Sequence, residues 1–355
     1  MKRPCRALTL LWCLLVTAVS AQEAWYPYPV EVWNPPFAMS SPRTNAEYVP
    51  LEKAAKKWQV QVFFPHLKDD YWLAVNYGMA DEARRLGIQL TLQHAGGYEN
   101  LATQIAQIRE CLATNPDGIV IGAIAYEGLN ELVAEVRGKG IPVIDVINGI
   151  SSPEISAKSL VSFGEMGYQV GEYLARKHPA GSQVVKVAWF PGPQDAGWVQ
   201  AGDLGFRTAV KAGAIEIVAT LFGDTGKEAQ SRLIEEALTA HADIDYIVGT
   251  AVTAEAAPAL LRQRRIQDRV KVLGYYFTPD VYRGIRRGQI LAAPTDSPVI
   301  QGRIAIDQVV RILEKQPYLK HVGPALRVID ASNIQTFDRS ATLAPDGFRP
   351  VLSVN

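Results

Sequence analysis

The stretch VQVFFPHLKDDYWLAVNYGMADEARRLG, Val60 to Gly87, decides the fold. Val60–Phe64 is a short, nearly continuous apolar run, the pattern of a strand covered on both faces. From Tyr71 the spacing becomes helical: Val75, Met79, Ala83 and Leu86 share one face, and Gly87 ends the helix. The unit then repeats. Ile88–Leu92 reads as a strand, Leu101, Ile105, Ile108 and Leu112 as a helical stripe, and Pro116-Asp117-Gly118 as a turn before the strand Ile119–Ile121. Leu129–Arg137 and Ile141–Val146 complete a first half, and this alternation predicts a parallel sheet with helices on both faces.

A second series starts near Ser162. It runs through a helix at Gly167–Lys177, a strand at Val184–Phe190, a helix at Asp203–Ala212 and a strand at Ile215–Phe222. Leu233–His241, Tyr246–Val248, Ala254–Arg264, Val270–Tyr275, Asp280–Arg287, Ile290–Ala293 and a long helix Val299–Leu313 follow. The expected class is α/β, with two doubly wound parallel-sheet lobes facing each other. In such sheets ligands sit beyond the carboxyl ends of the strands.

The ends of the chain and its charge narrow the setting. Lys2, Arg3 and Arg6 precede an apolar run from Ala7 to Ala18, and Val19-Ser20-Ala21 offers small residues for cleavage, so residues 1–21 read as an export signal cut near Ala21. The run is too short for a comfortable membrane span, which wants roughly 20 residues, so the mature chain is expected to be soluble, without membrane insertion. Two of the three cysteines leave with that signal, and Cys111 alone cannot close an internal disulfide. A formal net charge of +0 argues against nucleic acid or an anionic membrane as partner. Residues 22–57, with Trp25-Tyr26-Pro27-Tyr28-Pro29 and Trp33-Asn34-Pro35-Pro36, alternate poorly as strand and read as an extended N-terminal arm whose aromatics dock on the body or await a partner.

Leu67-Lys68-Asp69-Asp70-Tyr71-Trp72, Gly96-Gly97-Tyr98 and Gly249-Thr250-Ala251 stand at strand ends, accompanied by Asn76-Tyr77-Gly78-Met79, Met166-Gly167-Tyr168-Gln169, Pro191-Gly192-Pro193 and Gly347-Phe348-Arg349-Pro350. From about Trp58 to Leu352 the chain resembles the TorT family, periplasmic trimethylamine N-oxide sensors of the ribose-binding-protein-like superfamily that pair with a membrane histidine kinase. The resemblance implies the type I periplasmic binding fold, a periplasmic location and a three-segment hinge crossed near Asn148, Phe277 and Tyr318. The lobes then comprise 58–148 plus 278–318, and 149–277 plus 319–345, with a tail 346–355. The N-terminal arm departs from the family.

Tyr71 and Trp72, Tyr98 and Tyr126 each follow an apolar run of the first half and form an aromatic wall. A trimethylated nitrogen is bulky and positively polarised, so each aromatic face attracts it by roughly 0.5 to 2 kcal/mol. A sugar needs several paired carboxylates and amides instead, and too few stand at these strand ends. By resemblance the cage comprises Tyr71, Trp72, Tyr98 and Tyr276, with Asp69 also matching. Phe163 stands where the family has a tryptophan, and Trp198 is the candidate to fill the space left there.

Plainer roles compete. Asp70 stands where a cap of the helix from Tyr71 belongs, Asp69 is left open between ligand and solvent, and Tyr71 and Trp72 have an alternative as core aromatics. Asp296 is expected to cap the helix after it, and His66 and His94 to be satisfied surface groups. No Gly-x-x-x-x-Gly-Lys loop, Gly-x-Ser-x-Gly elbow or His-Glu-x-x-His pair occurs, and neither the histidines nor Cys111 have metal-ligand spacing. The expectation is therefore a binding protein rather than an enzyme, without cofactor or metal. It would sense a small methylated amine or amine oxide and signal to the periplasmic domain of a membrane histidine kinase. The alternative is the substrate-binding subunit of an importer for a sugar or other small solute.

Overall fold

The computed structural model describes residues 24–38 and 40–355; the export signal lies outside the described residues. The chain opens with a hairpin, β1 (Tyr28–Trp33) and β2 (Arg43–Tyr48). The expected strand–helix series follows as β3 (Gln59–Phe64), α1 (Asp70–Leu86), β4 (Gln89–His94), α2 (Leu101–Cys111), β5 (Gly118–Ile121), α3 (Asn130–Gly138), β6 (Val143–Val146) and β7 (Ala157–Ser159). The second series is α4 (Phe163–Lys177), β8 (Val185–Phe190), α5 (Gly197–Val210), β9 (Ile215–Thr220), α6 (Lys227–Ala240), β10 (Tyr246–Gly249), α7 (Ala251–Gln263), β11 (Lys271–Gly274), α8 (Pro279–Arg286) and β12 (Ala292–Thr295). α9 (Pro298–Leu313), β13 (His321–Pro324), β14 (Arg327–Asp330) and β15 (Ser353–Val354) close the chain.

Two main sheets result. The first has the order β15-β4-β3-β5-β6-β7-β13-β1-β2, the second β11-β10-β8-β9, and β12 pairs with β14 in a short ribbon. The strands from β4 to β13 run parallel, as do the four of the second sheet. Both edges of the first sheet are antiparallel, which the alternation did not predict.

The N-terminal arm is thus a structural hairpin. β1 extends the sheet beside β13, and its poor alternation has a physical reason: Val30 and Trp33 are buried while the residues between them are only partly covered. Trp33 stacks on the buried His321 at 4.1 Å, and the Trp25 indole donates to Glu82 of α1. The tail is tied down too, because Asn76 in α1 exchanges two hydrogen bonds with the backbone of Val351, at 2.8 and 2.7 Å, and β15 pairs with β4.

The changeovers between lobes fall elsewhere than expected. β7 and β13 belong to the first sheet, α8 packs on α7 and β12 lies beside β11. The chain leaves the first sheet after Ser159 rather than near Asn148, stays with the second lobe to about Thr295, and returns in α9, which packs on α1 and on β5 to β7. β14 goes back to β12, and β15 then rejoins the first sheet, a further crossing.

Two glycine contacts set the layout around the cleft. A Cβ on Gly78 of α1 would overlap the Val299 carbonyl of α9, and one on Gly167 of α4 would overlap the Gly202 carbonyl of α5. α4 and α5 therefore cross at backbone contact, which brings their N-terminal turns, carrying Phe163 and Trp198, side by side.

Candidate functional site

The cage residues expected from sequence, with Asp69, line one cavity between the two sheets. Asp69, Tyr71, Trp72, Tyr98, Phe163, Trp198 and Tyr276 line a small cavity, together with Ile147, Asn148 and Thr225, which sequence reading missed. All ten sit at or just beyond carboxyl ends of strands, so the alternation of the chain itself brings them together. Tyr126, the remaining ring of the expected wall, lies against Gly149 and Gly197 and lines an adjoining pocket instead.

The first turn of α1 is built by Asp69, not by Asp70. Asp69 Oδ1 accepts from the Trp72 backbone N–H at 3.1 Å and caps the helix, which aims Tyr71 and Trp72 inward. Loss of solvent pushes the Asp69 carboxyl up to about 6, against the Trp72 N–H, which holds it down, and with the Asp70 charge adding to the rise. The Tyr71 phenol donates to Asp296 Oδ2 at 2.5 Å, and that same oxygen accepts from Gln301 at 2.8 Å. Asp296 is wholly buried and orients Tyr71; the expected capping role is absent, because Ser297, in left-handed backbone at φ 53°, occupies the cap position of α9.

Trp72 has both roles that sequence reading weighed. It lines the cavity yet is only 2 % exposed, packing on Phe64 at 4.5 Å and against Gly122. Tyr71 meets Tyr276 edge to face at 5.1 Å, and Trp198 lies 6.3 Å from Tyr98, 6.0 Å from Phe163 and 5.9 Å from Tyr276. Trp198 belongs to the first turn of α5, which begins at Gly197, before the helix expected from Asp203. Behind it Tyr275, another residue absent from the sequence expectation, stacks on its ring and donates to the carbonyls of Phe163 and Trp198 at 3.1 and 3.2 Å. That hydroxyl ties the starts of α4 and α5 together.

Ile147 holds φ 68°, a left-handed conformation that costs a β-branched residue about 1 to 3 kcal/mol. The kink presents Asn148, whose Nδ2 donates to the Tyr98 hydroxyl at 2.9 Å and to the Ala123 carbonyl at 2.6 Å. Across the cleft His66 contacts Thr225 Oγ1 at 3.1 Å, and Lys68 pairs with Asp224 at 2.8 Å, so the lobes meet over the cavity. His66 is fully buried rather than superficial, and desolvation lowers it to about 4, with Lys68 adding to the fall, so it is neutral at pH 7. His94 is exposed as expected. Glu255 is pushed up to about 8 by burial and by the charges of Asp280, Asp69 and Asp70, while its bond from Thr278 opposes the rise. Among the described residues no group of His, Cys, Asp or Glu is arranged to hold a metal ion, and no helix is long and apolar enough to cross a membrane.

Two lobes of α/β structure closing on a small aromatic cavity define a ligand-binding protein of the type I periplasmic kind. The chain belongs to the periplasmic binding protein family: the family model for the periplasmic binding protein domain matches residues 60–317. It is 36 % identical over 301 residues to "Periplasmic protein TorT" of Escherichia coli, covering 84 % of this chain and 85 % of that one. Among solved structures it is similar to an ABC transporter solute binding protein from Bradyrhizobium sp. BTAi1 with bound bis-tris, at 54 % identity and a TM-score of 0.81, over 94 % of this chain and 100 % of that one. The complex of the TorS sensor domain with TorT in the presence of TMAO matches at 32 % identity and a TM-score of 0.76, over 83 % of this chain and 100 % of that one. The protein is accordingly a periplasmic ligand-binding protein and not an enzyme.

Proposed function

We propose that the cavity captures a small methylated amine or amine oxide, and that the closed protein then presents a surface to the periplasmic domain of a membrane histidine kinase. The observation that carries the first half is the convergence of Tyr71, Trp72, Tyr98, Phe163, Trp198 and Tyr276 on one small cavity. Aromatic faces attract polarised N-methyl groups, and Asp69 adds negative charge once ionised. The second half rests on the likeness to TorT, which is seen in complex with a TorS sensor domain.

Titration calorimetry of the mature chain with trimethylamine N-oxide, betaine, choline and carnitine tests the ligand, with ribose and arabinose as controls. Heat from an amine and none from the sugars is expected; the reverse pattern overturns the proposal.

One observation favours a second reading, the substrate-binding subunit of an importer. The 54 % identical relative is described as an ABC transporter solute binding protein, and a match over 94 % of this chain must reach before Trp58, into the N-terminal hairpin. Bis-tris, bound to that relative, is a hydroxylated tertiary amine, so amine chemistry at the cavity fits both readings. Loss of amine uptake on deleting the gene decides for the importer; loss of an amine-dependent kinase response decides for the sensor.

A further inference from the structure

We infer that Trp198 donates the hydrogen bond that selects an acceptor oxygen on the ligand, so that the cavity prefers an amine oxide to a bare quaternary ammonium. The inference rests on the amine reading above and adds a residue and a polarity to it.

Most polar groups around the cavity already have partners. Asp69 accepts from the Trp72 backbone, the Tyr71 phenol donates to Asp296, Asn148 Nδ2 donates to Tyr98 and Ala123, and Thr225 contacts His66. Trp198 Nε1 is buried without an acceptor. The Trp198 indole faces the Tyr98 hydroxyl without reaching hydrogen-bond geometry with it. That hydroxyl oxygen already takes the Asn148 donor, and its own proton has no protein acceptor among the described residues. The Trp72 side chain also faces that hydroxyl, so donors crowd one corner of the cavity, and what is missing there is an acceptor.

Buried donors are nearly always paired, and an orphan costs about as much as the hydrogen bond it lacks. The indole is not free to turn toward another partner. It is 4 % exposed, stacked on Tyr275 at 5.9 Å, and its backbone carbonyl is held by the Tyr275 hydroxyl. An N–O oxygen carries concentrated negative charge on the atom bonded to the methylated nitrogen. In this corner it would meet Trp198 and Tyr98 while the methyl groups face the rings. A tetramethylammonium ion puts a methyl group where that oxygen would sit, and leaves both donors unpaired. Phenylalanine at 163, having no N–H, cannot take over the role.

The test compares trimethylamine N-oxide with tetramethylammonium, its near-isostere, on the wild-type chain and on Trp198→Phe, which keeps a ring and removes the donor. Trp198→Phe is expected to weaken trimethylamine N-oxide roughly ten- to a hundredfold and tetramethylammonium by less than about threefold. Tyr98→Phe should give the same pattern more weakly. The unliganded melting point of each variant reports that it is folded. Equal loss for both probes, or a wild type that prefers tetramethylammonium, overturns the inference and leaves the amine reading standing. A wild type that binds neither probe removes the amine reading itself, and this inference with it.

Discussion

Asp69→Asn tests how the cavity treats charge. In the folded chain the carboxyl is raised to about 6, chiefly because it is shut away from water. The unfolded chain releases that proton at the ordinary value of 3.8, so between these pH values the folded state holds a proton that the unfolded state has lost. Stability therefore falls as pH rises from 3.8 to about 6 and stays lowered above it. The gap corresponds to about 3 kcal/mol, a ceiling because opening the cleft rehydrates the group. Asparagine keeps the capping oxygen that the Trp72 N–H requires and carries no charge. The variant should match the wild type near pH 4 and melt several degrees higher at pH 8. Glu255, also raised, loses the part of its rise that the Asp69 charge causes, which adds to the gain of the variant at high pH. The assay is a melting curve at each pH from 4 to 8, without ligand. A variant that melts lower than the wild type by the same margin at every pH would refute the reasoning, since Asp69 would then contribute a bond and no desolvation.

Trp72→Ala is expected to lose ligand binding and also about 3 to 5 kcal/mol of stability by chemical denaturation, because the ring packs on Phe64 as well as lining the cavity. An unliganded stability left unchanged would contradict that double role. Phe163→Trp restores the tryptophan of the resembled family but crowds Trp198, 6.0 Å away, and should cost about 1 to 3 kcal/mol. Adding Trp198→Phe should return part of that loss, and strict additivity of the two would show that the rings do not compete. Lys68→Ala removes a half-exposed bridge to Asp224 and should shift stability by no more than about 1 kcal/mol in denaturation. Deleting residues 24–50 strips β1 and β2 from the sheet edge and uncovers Val322, Ile300 and Ile304; expression without aggregation would contradict the hairpin's structural role.

The strand–helix alternation was readable because each buried parallel strand is a short apolar run and each covering helix has a stripe, although α5 and α6 begin at Gly197 and Lys227, well before the expected Asp203 and Leu233. What lacked a periodic signal was missed. The β1–β2 hairpin is rich in Pro, β7 and β13 are short, and β15 has two residues, so none shows a pattern until its partner is in place. The lobe changeovers were misplaced for the same reason, since short strands decide them. At the site, the rings stood out because aromatics at strand ends have few other uses there. Ile147, Asn148, Thr225 and Tyr275 carry no such mark, being set by a backbone twist and by partners from distant segments. Asp69 and Asp70 were exchanged because adjacent carboxylates at a helix start look alike in sequence, and only the backbone angle at Asp69 separates them. Asp296 and His66 were read from neighbours in sequence, whereas their partners Tyr71 and Thr225 lie far along the chain.

The most direct measurement is a crystal structure of the mature chain grown with trimethylamine N-oxide. The account predicts one molecule between Tyr71, Trp72, Tyr98, Phe163, Trp198 and Tyr276, its nitrogen within about 6 Å of several ring centroids. A cavity left unfilled at saturating ligand, or the amine bound on an outer surface, would contradict it.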